Sequence, residues 1–223
     1  MKAKIAEIFD SIQGEGLYLG ERHVFVRFFG CNLQCRYCDT PLVNFTEYDP
    51  PALLEEVKKF RRPNGVISLT GGEPLVQKDF LKEFLPLAQK NNYKIYLDTN
   101  GTLPEALAEV IDSLNVVAMD VKLPGSTGLG PFWDKHCAFL KVAQKKDVFV
   151  KAVICETTQD ADIHALICMV EDSHQAVSLV IQPDNSADPD ALKTKIEKYV
   201  SWCTSEGIAT CYIPQMHKMM GIR

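Results

Sequence analysis

Residues 65–74 read Gly-Val-Ile-Ser-Leu-Thr-Gly-Gly-Glu-Pro. An apolar run of strand length, 65–70, stops at a glycine pair, and a helical pattern follows over 79–91. A second strand-like run, 93–98, begins directly afterwards. A strand, a helix of that length and another strand make a crossover unit, which sets the two strands parallel. The alternation continues outward. Upstream, 23–28 reads as a strand. Asp49-Pro50-Pro51 opens a helix to about Arg62, with Asp49 as N-cap and proline in the first turn. Downstream, strands fall near 115–121, 147–154, 176–182 and 208–213, with helices near 103–113, 132–146, 160–172 and 189–205. The expected fold is α/β: a partial, open TIM-like barrel of about six βα units with parallel strands, too few for a closed eight-stranded barrel. No linker, repeat or low-complexity tract interrupts the pattern, so 1–223 reads as a single domain.

Composition narrows the class. At 46% hydrophobic content a chain of 223 residues has ample material for a core. A formal net charge of −5 gives no basic footprint, so a nucleic-acid polymer is not an expected partner. The short cationic pairs Lys58-Lys59, Arg61-Arg62 and Lys145-Lys146 fall at expected helix ends, where cations suit the dipole. No apolar run is long enough to span a bilayer, and no secretory segment opens the chain. A cytoplasmic enzyme is expected.

The strand at 23–28 runs into Cys31-Asn-Leu-Gln-Cys35-Arg-Tyr-Cys38. This three-then-two spacing brings three thiolates to one side of a short loop, where they can hold three corners of a cubic iron–sulfur cluster. No fourth cysteine follows at ferredoxin-like spacing, which leaves one iron open to an exogenous ligand. A structural zinc site normally takes four protein ligands, and no second half lies nearby. Eight cysteines in a chain of this length are too sparse for a disulfide scaffold. Cys137, Cys155, Cys168, Cys203 and Cys211 share no spacing and read as buried apolar thiols.

Polar residues gather at the expected strand ends. They are Arg27, the run 70–74, Asp98-Thr99-Asn100-Gly101, Asp120-Val121-Lys122, Gln182-Pro183-Asp184-Asn185, and then Gln215 and His217. Any one of these fits ordinary turn chemistry. Placed together on the carboxyl rim of a barrel-like sheet, they mark an active site.

With the cysteine loop and Gly71-Gly72-Glu73-Pro74 both present, the chain resembles the radical S-adenosylmethionine superfamily. Residues 7–16 (Glu-Ile-Phe-Asp-Ser-Ile-Gln-Gly-Glu-Gly), Cys-Asp-Thr at 38–40, Gln-Pro at 182–183 and the terminal 215–223 extend the likeness over the whole length. Within the superfamily they resemble the 7-carboxy-7-deazaguanine synthase family. The resemblance implies a 4Fe-4S cluster on Cys31, Cys35 and Cys38. It implies S-adenosylmethionine near Tyr37, Cys38, Asp39, Gly71, Gly72, Glu73, Asp98, Asp120, Lys122, Gln182, Pro183, Asp184 and Asn185. Glycines let the backbone approach a small zwitterion closely. Asp98 is placed for the ribose hydroxyls, with the opening of the Asp-Thr-Asn-Gly turn as its alternative role.

Thr40 would place its hydroxyl on Mg2+, an ion that takes oxygen ligands. A pterin substrate would lie near Ile12, Gln13, Gly14, Glu15, Arg27, Thr70, His217 and Arg223. A carboxylate such as Glu15, or the terminal carboxylate of Arg223, suits the paired N–H donors of a pterin edge. The family often has Ser-Pro-Lys where this chain has Asp120-Val121-Lys122, which leaves the contact at 120 open.

The implied reaction converts 6-carboxy-5,6,7,8-tetrahydropterin to 7-carboxy-7-deazaguanine with release of ammonia, in queuosine and deazapurine biosynthesis. No catalytic side chain is implied beyond the cluster-bound cofactor. A flavodoxin or ferredoxin-type electron donor and a homodimer are implied partners. Two alternatives compete. One is another enzyme of the superfamily, such as a glycyl-radical activating enzyme, which would have no reason for these two ends of the chain. The other is a zinc-stabilised module without catalysis.

Overall fold

The computed structural model describes every residue except 41, 42, 61, 63, 174 and 223, and the backbone alone at 189. Among these residues nine strands share one sheet. In chain order the elements begin with β1 (Ala3–Ile12), β2 (Arg22–Phe28), β3 (Thr46–Tyr48), α1 (Pro50–Lys58), β4 (Val66–Gly71), α2 (Lys78–Lys90), β5 (Lys94–Thr99) and α3 (Pro104–Val110). There follow β6 (Val116–Asp120), α4 (Pro124–Thr127), α5 (Trp133–Ala143), β7 (Asp147–Ile154), α6 (Asp160–Glu171), β8 (Ser178–Pro183), α7 (Pro189–Ser205), β9 (Thr210–Tyr212) and α8 (Met216–Met219). The order across the sheet is β3-β1-β2-β4-β5-β6-β7-β8-β9, open between its two ends.

Six successive pairings, from β2·β4 to β8·β9, are parallel as expected. The expectation of parallel strands fails at one edge. β1 pairs antiparallel with both β2 and β3. Residues 12–16, which drew notice as a motif, thus lie at the end of a ten-residue strand and in the turn after it. That turn is closed by Gln13 N–H to the Glu21 carbonyl (2.7 Å) and Gly20 N–H to the Gln13 carbonyl (2.8 Å). The first helix also ends early, at Lys58 rather than near Arg62.

Local chemistry explains where the helices begin. Asp49 accepts the Ala52 N–H at 2.8 Å and proline fills the first turn of α1. Gln159 and Asp162 form a reciprocal capping box on α6. In α2, Phe80, Leu81, Phe84, Leu85 and Ala88 make one buried stripe, while Pro86 sits on the exposed side. Each buried leucine or phenylalanine there contributes about 1.5–3 kcal/mol.

Alternation along the strands creates two interiors. Val26, Leu69, Leu97, Met119, Val150 and Ile181 belong to the large core shared with the helices. The intervening residues Tyr96, Ala118, Phe149 and Val180 form a small second core inside the curved sheet. Tyr18 packs edge-on against Tyr96 with ring centroids 5.6 Å apart and closes this inner core from below. One inward position further along the strands the character changes to Arg27, Thr70, Asp98, Asp120, Lys151 and Gln182. Arg27 stands opposite Thr70, and Asp120 opposite Lys151. An aromatic plug thus carries a polar floor.

Candidate active site

A cavity of about 980 Å3 rests on that floor at the carboxyl ends of the strands. The cysteine loop forms one wall. Asn32 fixes it by accepting from Asn100 Nδ2 (2.9 Å) and donating to Thr102 Oγ1 (2.9 Å). Arg36 N–H donates to the Thr127 carbonyl (2.9 Å), which pins the loop to α4. All three thiols are free and line the cavity. Burial pushes the Cys35 thiol up to about 11, Lys122 opposes this, and Asp120, Cys31 and Cys38 add to it. Three soft sulfur donors around an open side fit a 4Fe-4S cluster with one iron free. Among the described residues no three His, Cys, Asp or Glu side chains are gathered tightly enough to hold a metal ion.

The glycine pair turns out to serve the cysteine loop directly. A Cβ on Gly72 would lie 1.9 Å from the Gly30 carbonyl oxygen, and Gly71 has φ +116° against Phe28. Gly72 N–H donates to the Phe28 carbonyl (3.0 Å) and Glu73 N–H to that of Gly30 (2.9 Å). These contacts set the chain just before Cys31. Both glycines line the cavity, but Glu73 does not. Its carboxylate is fully buried and accepts from Thr99 Oγ1 (2.9 and 3.0 Å), Asn100 N–H (2.7 Å) and Leu75 N–H (3.1 Å). Burial raises its pKa to about 7 against these donors. The chain turns away after Gly72, and the Glu73 side chain buttresses the end of β5 instead of lining the cavity.

Every other described candidate lines the cavity. Tyr37, Asp39, Thr40, Asp98, Asp120, Lys122, Gln182, Pro183, Asp184 and Asn185 stand on the side of the cysteines. Lys122 donates to Asp120 (2.8 Å) and to the Tyr37 hydroxyl (3.1 Å). Burial works against its ammonium, but Asp120 and Tyr37 beside it carry its pKa above the ordinary lysine value. Asp120 Oδ1 and Gln182 Oε1 are buried with no protein partner among the described residues. Both residues line the cavity, but these two oxygens are themselves closed off from it. Thr40 donates to Asp39 (3.2 Å), and Lys218 pairs with the other oxygen of that carboxylate.

The same cavity is lined by Ile12, Gln13, Gly14, Glu15, Arg27, Thr70 and His217. Glu15 is bound by Lys151 Nζ at 2.8 Å on one oxygen and by Gln215 Nε2 on the other. Burial alone would raise the Glu15 pKa, yet Lys151 and Gln215 hold it well below the usual carboxylate range. Lys151 also reaches Asp98 at 3.2 Å. Burial and the charges of Glu15 and Asp120 raise the Asp98 pKa despite that contact. His217 lies so close to Gly14 that a Cβ there would meet its Nδ1 at 2.3 Å. Arg223 lies outside the described residues.

Lys151 was missed in the sequence. Its signal is a lone cation inside the apolar strand 148–154. Asn100 and Gln215 stood among the rim residues without an assigned role, and Lys218 and Arg36 drew no notice. Of the five scattered cysteines, Cys155 and Cys203 are buried, Cys137 and Cys211 half-buried, and Cys168 exposed on α6, so its buried reading is corrected.

Residues 25–152, more than half of the chain, match the radical SAM superfamily, the class that the open sheet and cysteine-walled cavity define. The 7-carboxy-7-deazaguanine synthase of Geobacter sulfurreducens is 35% identical over 98% of this chain and 97% of its own length. That of Methanothermobacter thermautotrophicus is 32% identical over 100% and 99%. The crystal structure of QueE from Escherichia coli superposes with TM-score 0.66 at 20% identity, covering 95% of this chain and 94% of that one, and supports the fold. The chain belongs to the radical SAM superfamily and, within it, to the 7-carboxy-7-deazaguanine synthase family.

Proposed function

We propose that this chain converts 6-carboxy-5,6,7,8-tetrahydropterin to 7-carboxy-7-deazaguanine with release of ammonia, a step in queuosine and related deazapurine biosynthesis. The observation that carries this reading is the layout of the cavity. Three free thiols and an anionic carboxylate, Glu15, held by Lys151, line one and the same cavity. When bound, the cluster and S-adenosylmethionine supply hydrogen-atom abstraction from carbon.

The residues of the chain do the positioning. Cys31, Cys35 and Cys38 hold the cluster. Asp120 and Gln182 line the side that S-adenosylmethionine would occupy, with Lys122 fixing Asp120. Asp98, Gly71, Gly72, Tyr37, Asp39 and the 183–185 loop complete that side.

A carboxylate has about four lone-pair sites. Lys151 and Gln215 occupy one on each Glu15 oxygen. One site per oxygen remains, which suits the paired N–H donors of a pterin edge. Ile12, Gln13, Gly14 and Thr70 surround the ring, Arg27 offers a fixed cation, and His217 closes the wall beside Gly14. The aromatic plug beneath keeps water out from below. Thr40 provides a single oxygen for Mg2+, so substrate and water must supply the rest of its shell. A homodimer in the cytoplasm, reduced by a flavodoxin or ferredoxin-type donor, completes the proposal. No helix among the described residues is long and apolar enough to cross a membrane.

The test is anaerobic reconstitution with iron and sulfide, then incubation with the pterin, S-adenosylmethionine, Mg2+ and a one-electron donor, with product mass analysis. The expected product is 7-carboxy-7-deazaguanine. Cleavage of S-adenosylmethionine with the pterin recovered unchanged would refute the assignment.

A further inference from the structure

Lys151 is 3% exposed, yet it sits on the inward face of β7 between two carboxylates. Its Nζ lies 2.8 Å from Glu15 Oε2 and 3.2 Å from Asp98 Oδ1. Such a group is not placed for fold stability. A buried ion pair costs several kcal/mol in desolvation, and apolar residues in its place are often neutral or stabilising. The alternating inward positions of β7 show what a purely structural residue would be here, since Phe149 lies below Lys151 and Val153 above. Removing the cation alone would leave two like charges facing one another across the same floor.

We infer that Lys151 is a positioning residue for the pterin: its ammonium fixes the Glu15 carboxylate in the orientation that accepts the two pterin donors, and ties it to Asp98. Three observations converge on this role. Glu15 comes from the turn after β1, and among the described residues Lys151 and Gln215 are the side chains that hydrogen-bond its carboxylate. Asp98, at the end of β5, is also held by Thr70 (3.3 Å), itself a cavity residue. The ammonium thus joins the turn after β1 to the end of β5 at one point. The trio carries a net charge of −1, which complements a donor-rich ligand edge. Lys151 acts through Glu15 and needs no contact with substrate. This inference rests on the pterin reading given above.

The test is a double-mutant cycle on the anaerobically reconstituted protein with S-adenosylmethionine present, reading the dissociation constant of 6-carboxytetrahydropterin. Lys151→Met and Glu15→Gln are each expected to weaken binding tenfold or more. The double variant is expected to bind no more than about threefold more weakly than the weaker single one. Lys151→Arg, which keeps a cation, is expected to recover most of the affinity, whereas a purely structural lysine would show its loss in melting temperature instead. If Lys151→Met does not fold, Lys151→Gln keeps one N–H donor without charge and replaces it in the cycle. Effects that multiply in the double variant, or a single lysine variant within twofold of wild type, would overturn the inference. Wild-type protein that cleaves S-adenosylmethionine but binds no pterin would instead overturn the functional reading beneath it.

Discussion

His136 sits on α5 beneath the loop that follows β5, with Nε2 3.2 Å from the Asn100 carbonyl oxygen and Nδ1 without a partner among the described residues. Burial lowers its pKa to about 4, with the Asn100 carbonyl and Asp120 opposing that shift. The unfolded chain, with a histidine near 6.5, therefore binds more protons than the folded one between these two values. The contribution to stability is fully present above about pH 6.5 and is lost as pH falls towards 4. The shift corresponds to at most about 3 kcal/mol at 1.36 kcal/mol per unit. Urea unfolding of the apo-protein is expected to show this slope, and His136→Gln, which keeps a donor for Asn100, to flatten it. An unchanged slope in the variant would mean that the histidine is not buried neutral.

At the scale of elements, the strand-end turns decide whether the cysteine loop is formed before any ligand arrives. The turn at 71–73 is packed against the backbone of 28–30, where nothing can yield. Gly72→Ala is expected to cost roughly 3 kcal/mol, at the upper end of overpacking effects, because its clash is with a carbonyl oxygen. Iron content after reconstitution should fall with it. Full iron loading and an unchanged melting temperature would contradict this account of the turn.

The same turn shows the limits of reading a motif along the chain. Gly71, Gly72 and Glu73 are adjacent in sequence, but the glycines face the cavity while the glutamate faces the core beneath β5. Lys151 failed for the opposite reason, since an apolar run around a single lysine reads as core. β1 was hidden because its last residues carry a recognisable motif that reads as loop. The βα units themselves were legible because period-2 and period-3.6 patterns alternate cleanly from residue 65 onward.

Across the whole molecule, one curved sheet does three things in layers. Its outer face binds the helices, and its lower inner face is filled by Tyr96, Ala118, Phe149 and Val180. Its upper inner face presents the polar floor between the thiols and Glu15. The central claim is that the thiols and Glu15 serve one reaction in one cavity. The direct measurement is a single turnover with 6-carboxytetrahydropterin deuterated at C6, reading label in 5′-deoxyadenosine by mass spectrometry. Transfer of deuterium from the pterin is the predicted result. Formation of 5′-deoxyadenosine free of label, while the deuterated pterin is consumed, would contradict it.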